Sequence, residues 1–176
     1  MKNMPTLTVG DIMLRTPEAD DLEHLFHLTE PATVRAFLGS FTPTMEDSFA
    51  RLLRNAGCWA LYGTGTFIAI HQPTGKLVGT LGMFHSYRGL GPDFDNQVEA
   101  GWIIAEPFWG QGMATQLMRA ILKWFDQTHG AKRTVCMIEE GHGASDAIAR
   151  KLGYQPYRTA TFPGSETRMQ LYERTP

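Results

Sequence analysis

The chain has only two cysteines, Cys58 and Cys136, far apart and in no Cys-x-x-Cys pair. That removes a zinc ribbon and a disulfide framework as organising principles and leaves two buried free thiols. An excess of charge is missing too. The formal net charge is −2, without the general basicity of a nucleic-acid binder, so no nucleic-acid partner is expected. No apolar run approaches the length of a membrane span, and residues 1–10, broken by Pro5 and polar side chains, lack the apolar centre of a signal peptide. A cytoplasmic protein with no membrane partner is the expectation. His24, His27, His71, His85 and His129 are scattered without ligand spacing, so no metal is expected. There is no Gly-Lys-Ser/Thr near the glycine-rich turn at 110–112, which sets aside a P-loop.

What is present is enough for one domain over 1–176 with a sizeable core: 176 residues, 43% hydrophobic and 19% charged. The chain is organised around Trp109-Gly-Gln-Gly-Met-Ala-Thr115, between a strand-like run at 98–105 and the most regular helical pattern in the sequence. Ala114, Leu117, Met118, Ile121, Leu122 and Phe125 form the i, i+3, i+4, i+7, i+8 stripe of a helix packed on a sheet. A glycine turn that feeds a helix leaves backbone N–H groups pointing outward with the positive end of the helix dipole behind them. Such a turn is either an anion cradle or a plain tight turn.

Along the rest of the chain, residues 11–15 read as a first strand, and Thr16-Pro17-Glu18 as a helix start with Thr16 as N-cap. Leu22, Leu25 and Phe26 mark the face of that helix, which Pro31 ends. Thr44-x-x-Asp47 resembles a capping box for a second helix, with Phe49, Leu52 and Leu53 at helical spacing up to Gly57. Residues 58–71 are rich in aromatic and β-branched side chains and read as one kinked strand, in a hairpin with 77–87. Residues 88–96 look like a long exposed loop. After the central helix come a strand at 133–139, a helix at 142–152 with Ala147, Ile148 and Leu152 inward and Gly153 closing it, and strands at 154–158 and 167–173. The order requires an α/β (α+β) fold: a mixed, largely antiparallel sheet of about seven strands with helices on both faces.

With this order, two blocks resemble the GNAT superfamily of acetyl-CoA-dependent N-acetyltransferases, and within it the RimJ/RimL-type branch: Glu99-Ala-Gly-Trp-Ile-Ile-Ala-Glu-Pro-Phe-Trp-Gly-Gln-Gly-Met-Ala-Thr-Gln116, and Gly143-Ala-Ser145 leading to Ala149-Arg-Lys-Leu-Gly-Tyr154. With the early block at 13–22, the resemblance covers nearly the whole chain. It implies acetyl-CoA as co-substrate, its pyrophosphate on the N–H groups of Gln111, Gly112, Met113, Ala114 and Thr115. It also implies a pantetheine arm along the strand edge near Ile103 and Ile104, and an oxyanion donor near Ile103.

The resemblance makes Glu99 the candidate base, acting directly or through a water, and Ser145 the candidate partner of the CoA sulfur. Alternatives stand beside both: Glu99 as an edge-strand or ion-paired carboxylate, Ser145 as a helix N-cap. Trp102 and Trp109 read as packing residues. Three positions depart from the family pattern. Trp109 stands where many members have Arg or Gln, His142 where Asn is frequent, and Ala149 where other branches place a tyrosine acid, which shifts that role to Ser145 or solvent. His85 and Tyr87 share a strand face and are candidates for an acceptor pocket.

The reading that follows is an N-acetyltransferase acting on an amine, either a protein N-terminus or a small molecule. A catalytically silent acyl-CoA sensor on the same fold is the alternative. The acceptor would be shaped by the first two helices, the 88–96 loop and the 159–166 turn. The assembly is a monomer or a homodimer.

Overall fold

A computed structural model describes residues 4–39 and 42–176. Its centre is one eight-stranded sheet of order β1-β2-β3-β4-β5-β6-β8-β7. The strands are β1 (Leu7–Val9), β2 (Ile12–Arg15), β3 (Thr66–His71), β4 (Lys76–His85), β5 (Val98–Ile104), β6 (Thr134–Glu139), β7 (Gln155–Thr161) and β8 (Arg168–Arg174). All neighbours are antiparallel except β5 and β6. The mixed, mostly antiparallel sheet is therefore as expected, with eight strands rather than about seven. The additional one is β1, whose three residues are too few to show an alternation.

The helices are α1 (Leu22–Thr29), α2 (Ala32–Arg35), α3 (Met45–Tyr62), α4 (Pro92–Asp95), α5 (Met113–His129) and α6 (Gly143–Lys151). They cover both faces. α5 and α6 enclose the main core with Leu81, Met83, Val98, Ala100 and Ile104 of the sheet, and all six residues of the α5 stripe are buried. On the opposite face Leu25 of α1 and Leu52 of α3 meet Ile68 of β3.

Several local expectations are corrected. Residues 58–62 belong to α3, not to a strand: the helix passes Gly57 and ends at Gly63, whose φ of 68° lets its N–H reach the Trp59 carbonyl at 3.0 Å. Tertiary packing overrides the β-propensity of this segment. Trp59 packs on Phe67 and Trp124, and its indole N–H donates to the Thr66 carbonyl at 3.0 Å. Thr44 does cap α3, accepting from Asp47 N–H at 3.0 Å. Of the face read for α3, only Leu52 is buried, while Phe49 and Leu53 are exposed. Thr16 is not an N-cap: a 3-10 turn, Ala19–Asp21, precedes α1, and Glu18 and Asp21 cap that turn reciprocally. In α6 the side turned fully inward carries Ala149, and Ala147 is exposed.

The 88–96 segment is anchored rather than free. It contains α4, buries Leu90 and Phe94, and is tied to β7 by Arg158, which donates to both Asp93 carboxylate oxygens at 2.8 and 2.9 Å. The Asp95 carboxylate accepts from the N–H groups of Arg88 and Gly89 at 3.0 and 3.1 Å. These bonds fix the backbone that carries Arg88.

Candidate active site

The sheet's one parallel contact is short. β5 and β6 pair only at Val98 with Thr134 and at Glu99 with Val135; beyond that they separate, while β6 continues along β8 to Glu139. The fork opens a cleft of about 1030 Å³, walled by α3, the sheet and the start of α6. Glu99, Trp102, Ile103 and Ser145 line it, as do His85 and Tyr87. A smaller concavity of about 370 Å³ between α5 and Arg174 is remote from these residues.

Backbone direction follows from register. Ala105 N–H donates to the Val78 carbonyl on β4, whereas Met83, opposite Ala100, uses its N–H on Gly65. In an antiparallel ladder this alternation directs the peptide groups of Ile103 to β4 and those of Trp102 and Ile104 to the fork. A Cβ built on Gly79 of β4 would lie 2.1 Å from the Ile103 carbonyl oxygen, which agrees. The edge donors are thus the N–H groups of Trp102 and Ile104, one residue to either side of the expected Ile103. The Ile104 carbonyl already accepts the Trp109 indole N–H at 2.7 Å, which ties down the turn before α5.

Glu99 stands at the closed end of the fork and is 3% exposed, so it is not a solvated edge carboxylate. Arg88 grips it bidentately, Nε to Oε2 at 2.7 Å and Nη2 to Oε1 at 2.9 Å, and the Ser86 hydroxyl donates to Oε2. A carboxylate offers about four acceptor positions. Three are taken, and the one remaining is on Oε1. Cys136 lies on the neighbouring strand; burial, then the Glu99 charge, pushes its thiol well above the usual range, so it is no nucleophile.

Past the C-terminal end of β5, which closes at Ile104, α5 starts without a cap. Gly110 and Gly112 both have φ of 72°, the left-handed conformation that glycine adopts without strain, and Gly112 has no side chain to cap with. The first helical bond is Gln116 N–H to the Gly112 carbonyl at 3.0 Å, so the N–H groups of Met113, Ala114 and Thr115 precede it. No acid occupies the first turn. The Gln111 side chain turns back to the Pro107 carbonyl at 3.0 Å and leaves its own backbone exposed. The five residues from Gln111 to Thr115 therefore present donors around an unneutralised dipole.

Ser145 lies inside the first turn of α6, whose N-cap position is His142, so the N-cap alternative for Ser145 does not hold. Its hydroxyl oxygen accepts the Trp102 indole N–H at 3.3 Å, leaving its own O–H free to donate. Trp102 thus does more than pack. His142 stacks on Phe37 at 4.2 Å, and burial holds its imidazole below the ordinary value. Among the described residues no group of three or more His, Cys, Asp or Glu side chains is arranged to hold a metal ion, and no helix is long and apolar enough to cross a membrane.

Sequence reasoning missed Arg88 and Ser86 on Glu99, although a β4–β5 hairpin places 86–88 beside 99. It also missed the polar wall of α3, where Arg51, Arg54 and Asn55 face the cleft.

Comparison with known proteins gives the same architecture. Residues 11–155 match the family model described as Acetyltransferase (GNAT) domain. The uncharacterised protein YkkB of Bacillus subtilis (strain 168) is 28% identical over 100 residues, which are 56% of this chain and 55% of YkkB. The match thus spans about half the length of that relative. A solved structure of a GnaT-family acetyltransferase from Bordetella pertussis is similar at a TM-score of 0.87 and 27% identity, over 97% of this chain and 99% of that one. The ribosomal L7/L12 alpha-N-protein acetyltransferase RimL, solved in complex with coenzyme A, is similar at a TM-score of 0.79 over 97% and 98% of the two chains. At 16% identity that likeness is one of fold.

Proposed function

Because the chain belongs to the GNAT acetyltransferase family, we propose that it is an acetyl-CoA-dependent N-acetyltransferase that passes the acetyl group directly to an amine. The observation that carries this reading is the fork, with a buried carboxylate at its closed end and, along the chain past the end of β5, an uncapped helix N-terminus. Acetyl-CoA, when bound, supplies an activated acyl group on a thiol that leaves.

The residues fit that molecule. The N–H groups of Gln111, Gly112, Met113, Ala114 and Thr115 suit a pyrophosphate, and the β5 edge at Trp102 and Ile104 suits an amide-rich arm. One of those edge N–H groups would also donate to the acyl carbonyl. Glu99 receives the amine's proton at the open position on Oε1, directly or through one water, while Arg88 and Ser86 hold the carboxylate still. Ser145, held by Trp102, directs its O–H to the departing sulfur.

The acceptor is an amine on a protein N-terminus or a small molecule, and the blocks at 99–116 and 143–154 carry the resemblance to the RimJ/RimL-type branch. We place the activity in one domain over 1–176, working in the cytoplasm as a monomer or homodimer. Calorimetric titration with coenzyme A tests the reading: micromolar binding is expected, and no binding would end it. The Arg88 grip on Glu99 favours one other reading, a silent acyl-CoA sensor. Coenzyme A binding without thiol release in the presence of any amine would select it.

A further inference from the structure

The wall that α3 gives the cleft is cationic, and its charges are unanswered among the described residues. Arg51 of α3 lines the cleft with a single hydrogen bond, Nη2 to the Thr80 hydroxyl at 3.3 Å, and no ion pair among the described residues. Burial, and after it the charge of Arg54, pushes its guanidinium down to about 10. Asp47, one turn earlier on the same helix, turns its carboxylate back to the Thr44 hydroxyl at 2.6 Å instead of to Arg51. Arg54 lines the same cleft and also makes no ion pair among the described residues. Beside them Asn55 is 9% exposed, and its side-chain Nδ2 is buried with no hydrogen-bond partner.

A half-buried guanidinium without a counter-ion and a buried amide donor without an acceptor are both poorly satisfied unless something fills the space before them. The other charged groups of the cleft do not. Glu99 is held by Arg88 and Ser86, and Glu139 lies on β6 across the fork. What is missing is an acceptor with negative charge, of the kind a guanidinium fork recognises.

We propose that Arg51, Arg54 and Asn55 form a binding site for an anionic group, a carboxylate or a phosphate, carried by the amine acceptor itself. The substrate class is then an amine with an acidic tail. Thr80 pairs with Ile103, four residues along β5 from Glu99, so the site lies up to about 13 Å along the strand from the closed end of the fork. The tail is therefore separated from the amine by a spacer. This inference rests on the N-acetyltransferase reading.

The test is a ladder of ω-amino carboxylates and ω-aminoalkyl phosphates of increasing length, each with its neutral amide or alcohol counterpart, assayed for thiol release from acetyl-CoA. The native protein should favour an anionic member over its neutral counterpart by about tenfold or more in kcat/KM. The preferred arm names the acid. In Arg51→Met that ratio should collapse toward one with coenzyme A affinity unchanged. Arg54→Gln, a change at an exposed side chain, should lower it partway and serves if Arg51→Met does not fold. Equal rates on charged and neutral members would overturn the proposal. So would a loss in Arg51→Met that falls on coenzyme A affinity, which would assign the cation to the donor. Failure of the parent reading looks different, as no thiol release with any amine. Calorimetry of the same amines against the coenzyme A-loaded protein then decides the anion site by itself: binding of charged members that Arg51→Met abolishes supports it, and no binding refutes it.

Discussion

The indole N–H of Trp102 on β5 donates to the hydroxyl oxygen of Ser145 on α6 at 3.3 Å, a bond between residues 43 apart that spans the mouth of the fork. It orients the serine so that its proton is left for the cleft. Ser145→Ala should lower kcat about tenfold to a hundredfold, with coenzyme A affinity little changed. Trp102→Phe keeps the ring and deletes the donor. Its kcat should fall about fivefold, and combining the two changes should give less than the product of the separate losses. Steady-state kinetics on the three variants reads both effects.

Glu99 and Arg88 are expected to separate chemistry from stability. Glu99→Gln should reduce kcat/KM by about 10² to 10⁴ and spare coenzyme A binding. Arg88→Met leaves a buried carboxylate without its guanidinium. Because the Arg88 side chain is 31% exposed, solvent screens part of that loss, and the cost should be about 1–3 kcal/mol in urea unfolding. Loss of activity in Arg88→Met with unchanged stability would contradict the assignment of Arg88 as the clamp.

The turn before α5 is constrained by conformation and not by space. A Cβ on Gly112 would meet nothing within 4 Å, yet φ is 72°. Gly112→Ala should therefore cost roughly 1–2 kcal/mol of left-handed backbone strain. Relief of that strain would rotate the N–H groups of Met113 to Thr115, so coenzyme A affinity in calorimetry should fall together with the melting temperature.

Acid should destabilise the fold through two histidines whose neutral form burial favours. The His142 imidazole is held below its ordinary 6.5 by burial, and His85 by burial and then by the charges of Lys132 and His129. As the pH falls through about 6.5 the unfolded chain binds these protons first. Over that window the unfolded state carries more protons, so stability rises with pH and is lost as the pH drops. The melting temperature should decline between about pH 7.5 and 5.5, and decline less in His142→Gln.

The parts of this fold that were legible in the sequence are those whose contacts repeat along one element. The α5 stripe, the Thr44 cap and the glycine turn are local patterns, and each was placed correctly. The helical course of 58–62 was not legible, because Trp59 is held by Phe67 and Trp124 from other elements. Glu99 was found through its place in a family motif, but its clamp was not, since Arg88 reaches it only through the β4–β5 pairing and the Asp95 bonds. Arg51 and Asn55 were passed over for a different reason. Polar residues on an amphipathic helix normally face solvent, and only the cleft between α3 and the sheet shows that these face inward.

The account stands on acetyl transfer at the fork, and amine-dependent release of free thiol from acetyl-CoA measures it most directly. The native protein should release thiol in step with acetylated amine detected by mass spectrometry, and Glu99→Gln should bind coenzyme A normally while releasing little. Thiol release by Glu99→Gln at the native rate, or none from the native protein with any amine, would contradict it.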